Sequence, residues 1–221
     1  AKAQRFFVDG GQHLGNLADY YHDVSYGAIS LQGTQVRGWY TSSMSFQTAR
    51  QNAVNRDPNL RGEIFNACLD SVPDGAIDFS RYYGVVTIMN GVLDGGALGI
   101  GQHPMTIHGH IYHLAGVSFD PNSLFIDFAA QEIGHGLGLN HSYDTYNNGG
   151  HTCGGYAGEY CDPYDIMSSM NAAAFERSVF PDTTDSNSDG PGMNVPNLLY
   201  MGWIPADRQT LVSPFATARE Y

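Results

Sequence analysis

Apolar and polar positions recur with two different periods along the chain, and the changes of period predict its elements. In "NLADYYHDVSYG" (16–27) apolar residues return three and four apart, which predicts an amphipathic helix ended by Gly27. "SFQTARQNAVNRD" (45–57) carries a helical pattern that stops at Pro58, and "LRGEIFNACLDSV" (60–72) resumes helix up to "PDG". "AISLQGTQVRGWYT" (28–41) is β-branched and aromatic with turn glycines, the signature of a strand or hairpin. The short apolar run "YGVVTIMNG" (83–91) predicts a buried strand, and "HGHIYHLAGVSF" (108–119) a second. Between them "GVLDGGALGIGQ" (91–102) reads as a glycine-rich stretch. "SLFIDFAAQEIGHGLGL" (123–139) sets Leu124, Phe125, Phe128, Ala129 and Ile133 at the spacing of a buried helical face. Beyond it the chain is glycine-rich and irregular. This order predicts one α+β domain over 1–221 with a cleft between unequal halves.

Composition narrows the partners. At 221 residues the chain can bury one sizeable core. A formal net charge of −12 argues against nucleic acid and anionic membrane surfaces, both of which need a basic face. No apolar run approaches the ~18–20 residues of a membrane span. No charged and then apolar leader opens the chain. Of the three cysteines, Cys68 in "EIFNACLDS" reads as a buried free thiol on an apolar helical face. Cys153 and Cys161 bracket "CGGYAGEYC": either they close a disulfide, which favours an exported protein, or they are two thiols of a cytosolic one.

The chemistry concentrates in "AAQEIGHGLGLNH" (129–141), whose second half reads E-x-x-H-x-x-G-x-x-H. Residues four apart share a helix face, so Gln131 and His135 can reach one point. Glu132, one position round, can lean over that point without ligating. Gly138 permits a sharp break, after which His141 can return as a third ligand. Three protein ligands and one open position are what catalytic zinc requires. Zinc would bring the pKa of a water there to about 7, and Glu132 could take its proton and pass it to the leaving amine. Further on, "CDPYDIMSSM" (161–170) carries Asp165-Ile166-Met167-Ser168, which looks like the Met-turn of the metzincin proteases.

Taken in order, "ADYYHDVSYGAISLQGTQVRGWYT" (18–41), the motif with its following serine, "YDIMS" and "MNVPNLLYMGWI" (193–204) resemble the gametolysin-like peptidases, secreted metalloproteases of the metzincin clan. The resemblance implies an upper subdomain, about 1–138, with a twisted mixed sheet and two long helices, the second ending at Gly138. It implies a smaller, loop-rich lower subdomain, about 139–221, that carries His141 and Met167. It implies metal ligands at Gln131, His135 and His141, a general base at Glu132, a propeptide cleaved before Ala1, and an extended peptide substrate drawn from extracellular or cell-wall proteins. A monomer is expected.

Gln131 departs from the family's usual first histidine, although "Q-E-x-x-H" resembles a minority variant of it. An amide oxygen is a neutral, harder donor than imidazole and binds zinc more weakly, while leaving the metal's charge intact. Zinc is expected first and copper second, since copper gains most at a weakened site. The rival reading is a degenerate site kept as a binding module. Retention of Glu132 favours catalysis, because a module has no chemical need for a base there.

Secondary candidates are weaker. "HPMTIHGHIYH" (103–113) holds four histidines; on a strand His108 and His110 share a side and His113 takes the other, giving either a second metal pair or a polar strand edge. The metzincin resemblance makes the strand before the metal helix the sheet edge that aligns substrate, expected at 109–117. "DSNSDG" (185–190) offers Asp185, Asn187 and Asp189 to calcium, but Pro196 stands at the twelfth position, and a solvated turn fits better. Ser169 stands where some metzincins have an oxyanion tyrosine. Tyr143, Tyr156, Tyr160 and Tyr164 lie nearby, and the sequence selects none of them. No G-x-S-x-G elbow supports a serine hydrolase.

Overall fold

The computed structural model describes residues 2–8, 16–55, 57–144, 153, 156–168 and 191–210. Ser169 and the calcium-loop candidates Asp185, Asn187 and Asp189 lie outside them. After a short helix α1 (Lys2–Phe7), helix α2 (Leu17–Val24) starts where the Asn16 side chain accepts the Asp19 N–H at 2.9 Å. It buries Leu17, Tyr20 and Tyr21, and Gly27 at φ +79° closes it by donating its N–H to the His22 carbonyl. Helices α3 (Phe46–Val54) and α4 (Pro58–Leu69) follow. Pro58 both ends the first and opens the second, since in the first turn its missing N–H costs nothing.

A three-stranded mixed sheet comes next: β1 (Gly84–Ile88), β2 (Ala97–Ile107) and β3 (His110–Phe119), in the order β1-β3-β2. β1 pairs parallel to β3, and β2 pairs antiparallel. One expectation needs correction here. The 28–41 segment forms no strand: Val36 and Trp39 are exposed, and Ile29, Leu31 and Tyr40 pack against the core from irregular backbone. Its residue types suit a strand, but no neighbouring strand pairs with them. Conversely, the glycine-rich 91–102 stretch contributes half of β2, the longest strand. Glycines there mark close packing, as the site shows below.

Helix α5 (Ile126–Gly136) lies across one face of the sheet and α4 across the other. β3 serves both layers by its period of two. Val117 and Phe119 join the cluster of Leu17, Tyr21, Ile126, Ala129, Ala130, Ile166, Met167 and Trp203. Leu114 joins Phe65, Leu69, Val72, Phe79, Met105 and Ile107 beneath α4. The result is a mixed α and β arrangement, as the periodicity predicts. Helix α6 (Val195–Tyr200) closes the described chain against the α5 side through Leu198. Among the described residues no helix is long and apolar enough to cross a membrane.

Candidate metal centre

α5 is buried nearly all round, and two glycines make that burial possible. At Gly99 on β2, a Cβ would collide with the Glu132 carbonyl and the His135 side chain. At Gly134 a Cβ would strike the sulfur of Met167. Strand β2 therefore presses on one side of the helix, and the fully buried Met167 presses on another. The helix ends in a Schellman turn: Gly138, at φ +96°, donates its N–H to His135, and Leu139 donates to Gly134. The last helical residue is Gly136, two before the expected Gly138, because the glycine serves the turn that follows the helix.

That turn orients the first histidine. His135 Nδ1 lies 2.8 Å from the Leu139 carbonyl oxygen, leaving Nε2 outward. Burial lowers the His135 pKa, with the neighbouring His141 adding to the fall and the Leu139 carbonyl opposing it. The ring therefore stays neutral, the form a metal ligand needs. His141 packs edge-on against it at 4.6 Å between ring centroids. Its Nδ1 lies 2.6 Å from Glu159 Oε1, so the imidazole N–H donates to the carboxylate and Nε2 is left for another partner. Gln131, 3% exposed, donates its amide N–H to the Ser168 carbonyl at 3.3 Å, which turns the other end of the amide, Oε1, away from that contact.

The turn at Asp165–Ser168 ties these parts together. The Ser142 N–H donates to the Met167 carbonyl at 2.9 Å, anchoring the segment just after His141. The buried Asp165 accepts N–H groups from Met167 and Asn194 and the Asn197 amide, so α6 is fastened to the same turn. Glu132 is 9% exposed, and burial pushes its carboxyl up to about 7 against the opposing pull of the Gly99 N–H and the Arg61 charge. A base near neutrality is suited to taking and returning a proton at physiological pH.

Gln131, Glu132, His135, His141 and Met167 are thus brought together, and the Cys153–Cys161 disulfide is formed with its Cα atoms 5.3 Å apart. Cys68 is free but half-buried, its sulfur 3.7 Å from that of Met89. The histidine-rich stretch makes no second pair. His108 and Gly109, at φ +49° and +79°, form the β2–β3 hairpin turn, so His108 is not on a strand with His110. His108 Nε2 instead meets the Val72 carbonyl at 2.6 Å. The proposed edge at 109–117 is also wrong: β3 is central, hemmed by both neighbours, and the edge beside the site is β2.

Glu159 escapes the sequence reading, and Tyr160, one of the four tyrosines it leaves unselected, joins Glu159 at His141. Glu159 is held by the Tyr156 N–H at 2.8 Å, which together with His141 keeps its carboxyl below the usual range. The Tyr160 hydroxyl stands 3.0 Å from His141 Nε2, and burial pushes its pKa up to about 12, with the Glu159 and Glu132 charges adding. Their signal was position: both immediately precede the second cysteine of the loop.

Among the described residues no three His, Cys, Asp or Glu side chains group to hold a metal, so a metal here would take the Gln131 amide oxygen as its third donor. The donor set fits one. Each of the three side chains has its non-ligating polar atom engaged, by Ser168, Leu139 and Glu159, and this is how metal ligands are held in orientation. Comparison of the chain with family models, with curated proteins and with solved structures finds no match.

Proposed function

We propose that this protein is a metal-dependent endopeptidase of metzincin type, with Gln131, His135 and His141 holding zinc, or copper in second place, and Glu132 as general base. The observation that carries the reading is the matched set of outer partners on the three donors. A bound metal would supply acidification of water and polarisation of a peptide carbonyl. The chain's own residues would do the rest. Glu132 takes the proton of the attacking water and hands it to the leaving amine. Edge strand β2 offers backbone groups beside Glu132 on which an extended peptide can pair. Met167 supports the floor from within the core. The disulfide supports an exported protein acting on extracellular or cell-wall proteins.

The test is hydrolysis of a denatured protein substrate with and without chelator, alongside Glu132→Gln and elemental analysis for zinc, copper and calcium. Chelator-sensitive cleavage that Glu132→Gln abolishes is expected. A wild type inert under every divalent metal would mean that the fold serves as a binding module instead.

A further inference from the structure

His141 takes its orientation from a loop that the apolar core does not hold. Glu159, buried on that loop, sets its two oxygens to different partners: Oε1 meets His141 Nδ1 at 2.6 Å, and Oε2 accepts the Tyr156 N–H at 2.8 Å. Backbone contacts lay the loop beside the His141 segment. Asp144 donates its N–H to the Gly158 carbonyl at 2.9 Å, and Tyr143 and Glu159 form an antiparallel bridge. Among the described residues of 153–161, none joins any of the three apolar core clusters. A segment without apolar burial opens at low cost. Its covalent fastening is the Cys153–Cys161 disulfide, whose second cysteine stands two residues after Glu159. Cys153 is exposed, so the bond is within reach of a reductant, whereas the carboxylate it secures is buried. Exposed disulfides are the labile and regulatory ones.

We propose that this disulfide is a redox latch on the metal site. Oxidised, it holds Glu159 on His141 and the site binds metal tightly; reduced, the loop loosens, His141 loses its partner and metal affinity falls. The proposal rests on the metal-site reading above. The switching step is thiol–disulfide exchange with a dithiol. The two S–H groups of the dithiol are oxidised to one S–S bond, the Cys153–Cys161 bond breaks, and two electrons and two protons pass to the two cysteines. In a reducing compartment the chain stays idle, and oxidation on export arms it.

The test uses the full chain stripped by chelator and titrated with Zn²⁺ in competition with a chromogenic chelator. Oxidised wild type is compared with Cys153→Ser/Cys161→Ser, which has no loop thiols to bind zinc themselves, with Glu159→Gln, and with all three substitutions together. The double serine variant should bind zinc roughly 10- to 100-fold more weakly, as for loss of a ligand's outer partner. Glu159→Gln should lose a similar factor, and the triple variant no more than either, because the latch acts through Glu159. Wild type reduced by a phosphine, with its thiols capped by iodoacetamide, should match the double variant and supplies the reading if that variant does not fold. Equal zinc affinity in wild type and the double variant, or losses that add in the triple variant, overturns the latch while leaving the metal site standing. Loss of the fold in both reduced forms makes the disulfide a staple of the whole chain, which also overturns the latch. An oxidised wild type that takes up no zinc overturns the metal reading, and the latch falls with it.

Discussion

At the scale of single residues, Gln131 would decide how tightly the proposed site holds a metal. Its amide donates to Ser168, so its orientation is set by the Asp165–Ser168 turn without need of a metal. Gln131→His should raise zinc affinity by at least about tenfold, since imidazole is the better donor. If the wild type is already active, turnover should change little; activity appearing only in the variant would mark the natural site as degenerate. Glu159 makes a second prediction. Glu159→Gln keeps an acceptor for the His141 N–H but removes the carboxylate charge that faces it. Metal affinity should fall roughly 10- to 100-fold, read by competition with a chromogenic chelator, while the unfolding midpoint of the metal-free protein moves little. The sequence displays the first set of residues and hides the second for one physical reason. Gln131, Glu132 and His135 share one helix, and His141 follows one turn later, so spacing alone implies convergence. Glu159 and Tyr160 reach His141 through a disulfide-closed loop, whose path no periodicity encodes.

At the scale of elements, the helices are legible because their caps are local: Asn16, Ser45 and Asp57 each accept an N–H two or three residues on. The strands are less so. β2 hides behind its glycines, which are small because α5 presses on them, and residues 28–41 have strand chemistry without a partner strand. The order of the sheet, which moved the edge from β3 to β2, depends on pairing between distant segments. The contact of β2 with α5 can be tested directly. Gly99→Ala would drive a methyl into the Glu132 carbonyl, which is helix backbone and cannot move aside. A loss of about 1–3 kcal/mol is expected, read as a lower urea midpoint at unchanged m-value. Asp127, buried in the first turn of α5, gives the helix a pH signature. Burial raises its pKa above the ordinary 3.8, with the Phe128 N–H opposing. Its stabilising share is therefore complete below 3.8 and is lost as pH rises through the folded-state value. Asp127→Asn lacks this loss, so the variant should gain on wild type as pH is raised from about 3.8, in paired urea midpoints. A constant difference at all pH values would show that Asp127 does not titrate in the fold.

At the scale of the whole molecule, a metal would add a link between segments that already meet through the His135–His141 ring pair and the Ser142–Met167 hydrogen bond. Gln131 and His135 stand on α5, whereas His141 is carried by the segment after it and is braced by the disulfide loop through Glu159. A ligand that binds only the folded chain stabilises it by mass action, about 2.7 kcal/mol at a hundred times its Kd. For a chain of this length that corresponds to a rise in Tm of roughly 5–10 °C. Chelation should therefore lower Tm by that amount, and re-addition of metal should restore it. The rise should track the affinity of the ion, so copper should give the larger shift if the amide-containing site follows the usual order of divalent metals. Glu132→Gln, which leaves all three donors in place, should show the same rise as wild type. His141→Ala should show little of it. Those two variants separate binding at this site from adventitious binding elsewhere on an acidic surface, because a scattered surface effect would be indifferent to His141. A Tm unmoved by zinc, copper and chelator alike would leave Gln131, His135 and His141 as packing and hydrogen-bonding residues only.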